Sequence, residues 1–135
     1  MSGSRFEHLQ PAECWELLKG KSVGRIAYCK VNGPVVLPVN YTVRDQSIVF
    51  RTAVGSLLHE AMHTAQAAFQ VDEIDDLVQA GWSVLLVGRA QWVSDTDQLT
   101  DLWWDQRQPP PWAGGERDAF VRVLPLEITG RRVLS

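Results

Sequence analysis

The stretch GRIAYCKVNGPVVLPVNYTV, residues 24–43, constrains the fold more than any other part of the chain. Two strand-like runs flank Asn32-Gly33, a dipeptide that tolerates the backbone of a tight hairpin turn. In the second run Val35, Leu37, Val39, Tyr41 and Val43 alternate with Val36, Pro38, Asn40 and Thr42. A period of two means a strand with one buried face. Pro38 has no N–H to give to a ladder, so it marks an edge, a bulge or an opened ladder at that point.

The rest of the chain repeats this pattern of strands with short connections. QPAECWELLKG, residues 10–20, is expected to be a short helix, with Pro11 in its first turn, Gly20 at its end, and Cys14, Trp15, Leu17 and Leu18 inward. RDQS turns the chain into a third strand, IVFRT, followed by a helix from about Ser56 to Thr64. QAAFQVDEID reads as a strand whose acidic end, Asp72 to Asp76, runs into a loop. GWSVLLVGRAQWV is a long strand, with glycines that permit a bend. SDTDQLTDLWW reads as a helix capped by Ser94 or Asp95. QPPPWAGGE is irregular, and FVRVLPLEITGRRV closes the chain as one or two strands. Strands outnumber helices and their connections are short, so pairing is expected to be antiparallel in a barrel-like sheet with helices as caps.

The 135 residues, 45% of them hydrophobic, suit one globular domain spanning 1–135. Thirteen basic against sixteen acidic residues argue against a nucleic-acid binder, which shows a basic excess or face. The stretch MSGSRFEHLQPAE, residues 1–13, has no apolar run of signal-peptide length, and no stretch of the chain approaches a membrane span. Two cysteines, Cys14 and Cys29, are too few for a disulfide scaffold. A soluble cytoplasmic protein with reduced thiols is expected.

Chemistry first shows in FRTAVGSLLHEAM, residues 50–62, a strand end, a loop and a helix start. Arg51, Thr52 and Ser56 supply a guanidinium and two hydroxyls beside the free N–H groups of a helix N-terminus, a set of anion donors. Gly55 lets backbone approach a ligand closely. The same residues also suit a plain connection, with Ser56 as N-cap and Arg51 as a surface arginine.

VGRIAY, VLPVNYTV, IVFRTAVGSLL, AAFQVDEID, GWSVLLVGRAQWV, Pro111-Trp112 and EITGRR, in this order, resemble the pyridoxamine 5'-phosphate oxidase-like FMN-binding split β-barrels, especially small actinobacterial-type members. The resemblance covers the chain from about residue 10. It implies a mainly β, α+β fold built on a six-stranded antiparallel split barrel. It also implies a homodimer with FMN in two clefts between subunits. Arg51, Thr52 and Ser56, with Gly55 and Leu57 beside them, take the ribityl phosphate. Pro38, Val39, Asn40 and Tyr41 run along the isoalloxazine ring. Trp82, Ser83 and Trp112 are ring or cleft contacts, one of them from the second subunit, and Arg25 lies near the phosphate. Many relatives carry lysine where this chain has Leu57, which removes one phosphate contact. The implied activity is hydride transfer between FMN and a small planar or conjugated substrate. A deazaflavin is the alternative cofactor on the same fold, and a non-catalytic flavin- or haem-binding module is the alternative role.

HEAMH, residues 59–63, matches the zinc motif HExxH letter for letter. The predicted helix is short, no third ligand is evident, and both histidines are placed on its polar side, so solvated surface residues are expected and no metal. Asp72, Glu73, Asp75 and Asp76 are expected to form a solvated loop rather than paired catalytic carboxylates. Cys29 is expected in the core. Trp103 and Trp104 are expected to pack.

Overall fold

The computed structural model describes residues 5–63, 65–94 and 119–134. Its elements are β1 (Arg5–Leu9), α1 (Pro11–Lys19), β2 (Val23–Lys30), β3 (Gly33–Val43), β4 (Ile48–Thr52), α2 (Leu57–Ala61), β5 (Gln66–Asp75), β6 (Ala80–Trp92) and β7 (Ala119–Leu134). The expected helix at SDTDQLTDLWW, apart from Ser94, lies outside the described residues, as do Thr64, Trp103, Trp104, Pro111 and Trp112.

All pairings are antiparallel, in the order β1-β7-β4-β3-β2-β5-β6, and β6 also pairs with β7. That last pairing closes six strands into a barrel. The first half of β7 lies between β4 and β6: Val121 is opposite both Phe50 and Trp92. Its second half lies between β6 and β1. Among the described residues the sheet thus has seven strands, not six. The extra one, β1, sits outside the closed ring and pairs, among the described residues, with the end of β7. The final segment is one strand, with an irregularity opposite Val87 and Gly88.

The alternation in β3 is realised as expected. Val39 and Tyr41 are buried, while Val36 and Pro38 are exposed. Ile26, Tyr28, Phe69, Val71, Val84 and Leu86 meet them in the core, and α1 plugs the barrel with Cys14 and Leu18. Burying side chains of this size contributes roughly 1.5–3 kcal/mol each, which favours this register over a one-residue slip.

Two turns differ in detail from a simple Asn-Gly hairpin. Lys30 pairs with Gly33, so Val31 and Asn32 form the loop and the positive φ, 130°, falls on Gly33. The RDQS turn is the one with two left-handed residues, Asp45 at φ 50° and Gln46 at φ 54°, closed by mutual backbone hydrogen bonds of Arg44 and Ser47. This pattern matches the twist of the flanking strands.

Pro38 lies on an opened edge. β3 pairs with β2 from Gly33 to Asn40, but with β4 only at Tyr41, Thr42 and Val43. Among the described residues, therefore, no strand pairs with residues 34–40 on their β4 side, and the barrel is split there. Two expectations are corrected. Asp72, Glu73 and Asp75 belong to β5, paired with Ser83, Trp82 and Ala80, so the acidic segment is largely strand. Cys29 is exposed, because β2 turns Gly24, Ile26 and Tyr28 inward and the odd positions outward; Cys14 is the buried thiol.

Candidate functional site

The split beside Pro38 opens into a cavity of about 270 Å³. β3 supplies Leu37, Pro38, Val39 and Asn40, the end of β4 supplies Arg51 and Thr52, and Ser56 and Leu58 come from the start of α2. Six of the thirteen residues expected at a cofactor thus line one cavity.

Its polar corner is built by a short turn. β4 ends at Thr52, the chain passes Gly55 at φ 81°, and Ser56 caps α2. Thr52 Oγ1 and Ser56 Oγ are 3.1 Å apart. Ser56 Oγ accepts from the His59 N–H at 3.1 Å, which fixes its position as an N-cap. Arg51 sits over the Phe120 ring, its guanidinium carbon 5.6 Å from the centroid. An aromatic face of this kind attracts a guanidinium. The corner therefore combines a cation with two hydroxyls, the donor set that suits a phosphate or carboxylate.

The remaining candidates lie elsewhere. Tyr41 is buried on the core side, edge-on to Phe69, with its hydroxyl donating to the Leu18 carbonyl. Burial pushes its phenol well above the ordinary value. Leu57 is 80% exposed and the cavity wall at that turn is Leu58 instead. Gly55 forms the turn behind the lining. Arg25 is opposite Pro38, where it donates to Gln70 Oε1 at 3.2 Å and lies 3.7 Å from Asp72 Oδ2. Trp82 and Ser83 line a different cavity of about 430 Å³ at the start of β6, with Phe6, Ile74 and Arg131. Trp112 is outside the described residues.

His59 is a further correction. It is 7% exposed rather than on a polar side. Its ring lies flat on Trp92, centroids 4.3 Å apart at 3°, and Trp92 Nε1 donates to the His59 carbonyl at 2.8 Å. Its Nδ1 accepts from the Gly55 N–H at 3.1 Å. α2 stops at Ala61, so His63 lies past its end, tilted against the same indole at 4.1 Å. HEAMH is here an aromatic cluster behind the cavity turn. Trp92, which organises it, is 33 residues away in sequence, so no local pattern reveals it.

Residues 10–132 match the family described as pyridoxamine 5'-phosphate oxidase. The chain is 29% identical to an uncharacterized protein of Mycobacterium tuberculosis, across 99% of this chain and 90% of that protein. Among solved structures it is similar to the FAD binding protein from Mycobacterium smegmatis, at 34% identity and TM-score 0.80, covering 94% of this chain and 98% of that one. A FAD-binding protein from Mesorhizobium loti, at 23% identity and TM-score 0.73 over 98% of this chain and all 100% of that one, shares the fold. With the split barrel and these matches over nearly the whole chain, the protein belongs to the pyridoxamine 5'-phosphate oxidase family.

Proposed function

We propose that this protein is a flavin-dependent oxidoreductase that holds its cofactor through the 5'-phosphate. The observation that carries this is the convergence of Arg51, Thr52 and Ser56 on one cavity beside the opened edge of β3. The phosphate would lie against those three residues. The ring would extend along residues 38–40, beside the edge that no described strand pairs, where backbone groups would hydrogen-bond a flavin edge. A bound flavin supplies the hydride chemistry, and the protein binds and orients it. The substrate class is a small planar or conjugated molecule able to stack on the flavin.

FMN is the cofactor of this reading. A FAD reading is favoured by one observation, the 34% identity to a FAD binding protein. Its inner phosphate would use the same corner, with the adenylate passing the exposed Val54 and Leu57.

We also propose a homodimer. At about 270 Å³ the cavity falls below the roughly 300–1,000 Å³ of ligand pockets, so the described residues of one chain enclose only part of a flavin. The outer barrel face carries an apolar row across four strands, Val36, Ala27, Ala68 and Val87, each opposite the next. Pro38 belongs to that face and to the cavity, so a second copy docked there would abut the cleft. Trp82 and Ser83 would then reach the cofactor from the partner.

Titration with riboflavin, FMN, FAD and a deazaflavin, followed by flavin fluorescence, tests the reading. Saturable binding of FMN or FAD well above riboflavin, with reduction by a nicotinamide donor, supports it. A bound flavin that cannot be reduced leaves a binding module, and binding of none removes the flavin reading. Light scattering at about 30 kDa, twice the 15.2 kDa chain, supports the dimer, and 15 kDa at micromolar concentration excludes it.

A further inference from the structure

We infer that His59 is a positioning residue for the anion corner, acting through the backbone of Gly55; the inference rests on the phosphate reading above. His59 is tied twice to the turn that carries the corner. Its own N–H donates to Ser56 Oγ at 3.1 Å, and its Nδ1 accepts from the Gly55 N–H at 3.1 Å. Gly55 is the left-handed residue of the turn, the point where the chain reverses between Thr52 and Ser56. Fixing its N–H therefore fixes the spacing of the two hydroxyls. Trp92 in turn fixes the imidazole, flat against its ring, with Trp92 Nε1 bonded to the His59 carbonyl. The order of support is β6, then His59, then Gly55, then the Thr52–Ser56 pair. An imidazole that accepts at Nδ1 carries its proton on Nε2, so the tautomer is part of the device.

His59 does not line the cavity, and its substitution acts only by loosening the turn. Two variants separate the acceptor from the packing. His59→Phe keeps an aromatic ring for Trp92 and removes the acceptor. His59→Asn removes the ring and keeps an oxygen where Nδ1 stands. His59→Phe is expected to weaken FMN binding about tenfold, the scale of one lost hydrogen bond to a turn that must be ordered. Riboflavin, which lacks the phosphate, is expected to bind the parent and H59F alike. His59→Asn is expected to restore FMN affinity to within about threefold of the parent. A merely structural role would instead weaken riboflavin and FMN equally, and would make H59N the worse variant.

Arg51→Ala is the control in the same titration. If it weakens FMN binding while H59F does not, the positioning role is overturned and the phosphate reading stands. If Arg51→Ala has no effect, the phosphate reading itself fails. A second measurement needs no variant. Nitrogen NMR of the parent is expected to show His59 as the Nε2–H tautomer with a protected Gly55 amide, and an Nδ1–H tautomer or a freely exchanging Gly55 amide overturns the inference.

Discussion

Thr52 and Ser56 hold each other across the turn from β4 into α2, their side-chain oxygens 3.1 Å apart. Ser56 serves two ends at once. It caps α2 through the His59 N–H and faces the cavity with Arg51. Structure and binding are thus coupled in one hydroxyl. Ser56→Ala is expected to lower stability by about 1 kcal/mol through the lost cap and also to weaken flavin phosphate binding. Thr52→Ser keeps the hydroxyl and is expected to spare binding. Urea denaturation beside an FMN titration separates the two effects.

Leu57 points to solvent at the edge of the corner. Leu57→Lys adds a flexible cation there at no cost in packing. FMN binding is expected to tighten by roughly ten- to a hundred-fold, the value of one charge-assisted hydrogen bond, with an unchanged melting temperature. The gain should shrink in high salt. An unchanged FMN affinity would place the phosphate elsewhere.

Tyr41 links β3 to α1 through the Leu18 carbonyl. Tyr41→Phe removes one hydrogen bond from that carbonyl, which still accepts from the Lys21 N–H at 3.4 Å, and is expected to cost about 0.5–1.5 kcal/mol in urea denaturation. The phenol also sets an alkaline limit. Desolvation raises its folded value above the 10.0 of an unfolded tyrosine. The unfolded state therefore loses its proton first. The contribution is complete below that unfolded value and is lost as pH rises from there toward the folded one. The slope of stability against pH above 10 should be shallower in Tyr41→Phe.

The two thiols should react differently. Cys29 is exposed, whereas Cys14 is buried, and burial first and the nearby Glu13 second push its thiol up. A thiol reagent is expected to label one cysteine in the native protein and two in urea. Rapid labelling of both in the native state would contradict the plugging of the barrel by α1.

Much of the barrel was legible where a local pattern carried it. The alternation of Val35 to Val43 specifies which face of β3 is inward, and Pro38 marks the split. β1 was not legible, because RFEHL has no apolar alternation and its strand partner is β7, some 120 residues on. Cys29 was legible in principle, since Ile26 and Tyr28 already assign the odd positions of β2 to the outside. His59 was not, because Trp92 buries it from another strand. At the site, Arg51, Thr52 and Ser56 could be read from one strand–turn–helix segment. That they meet residues 38–40 depends on how far β3 and β4 pair, a tertiary property.

The most direct test is the FMN affinity of Arg51→Ala against the parent protein, read by flavin fluorescence. Loss of the guanidinium is expected to weaken binding by about ten- to a hundred-fold, with an unchanged circular dichroism spectrum. Equal affinity of the two proteins would contradict the assignment of this corner to the cofactor phosphate.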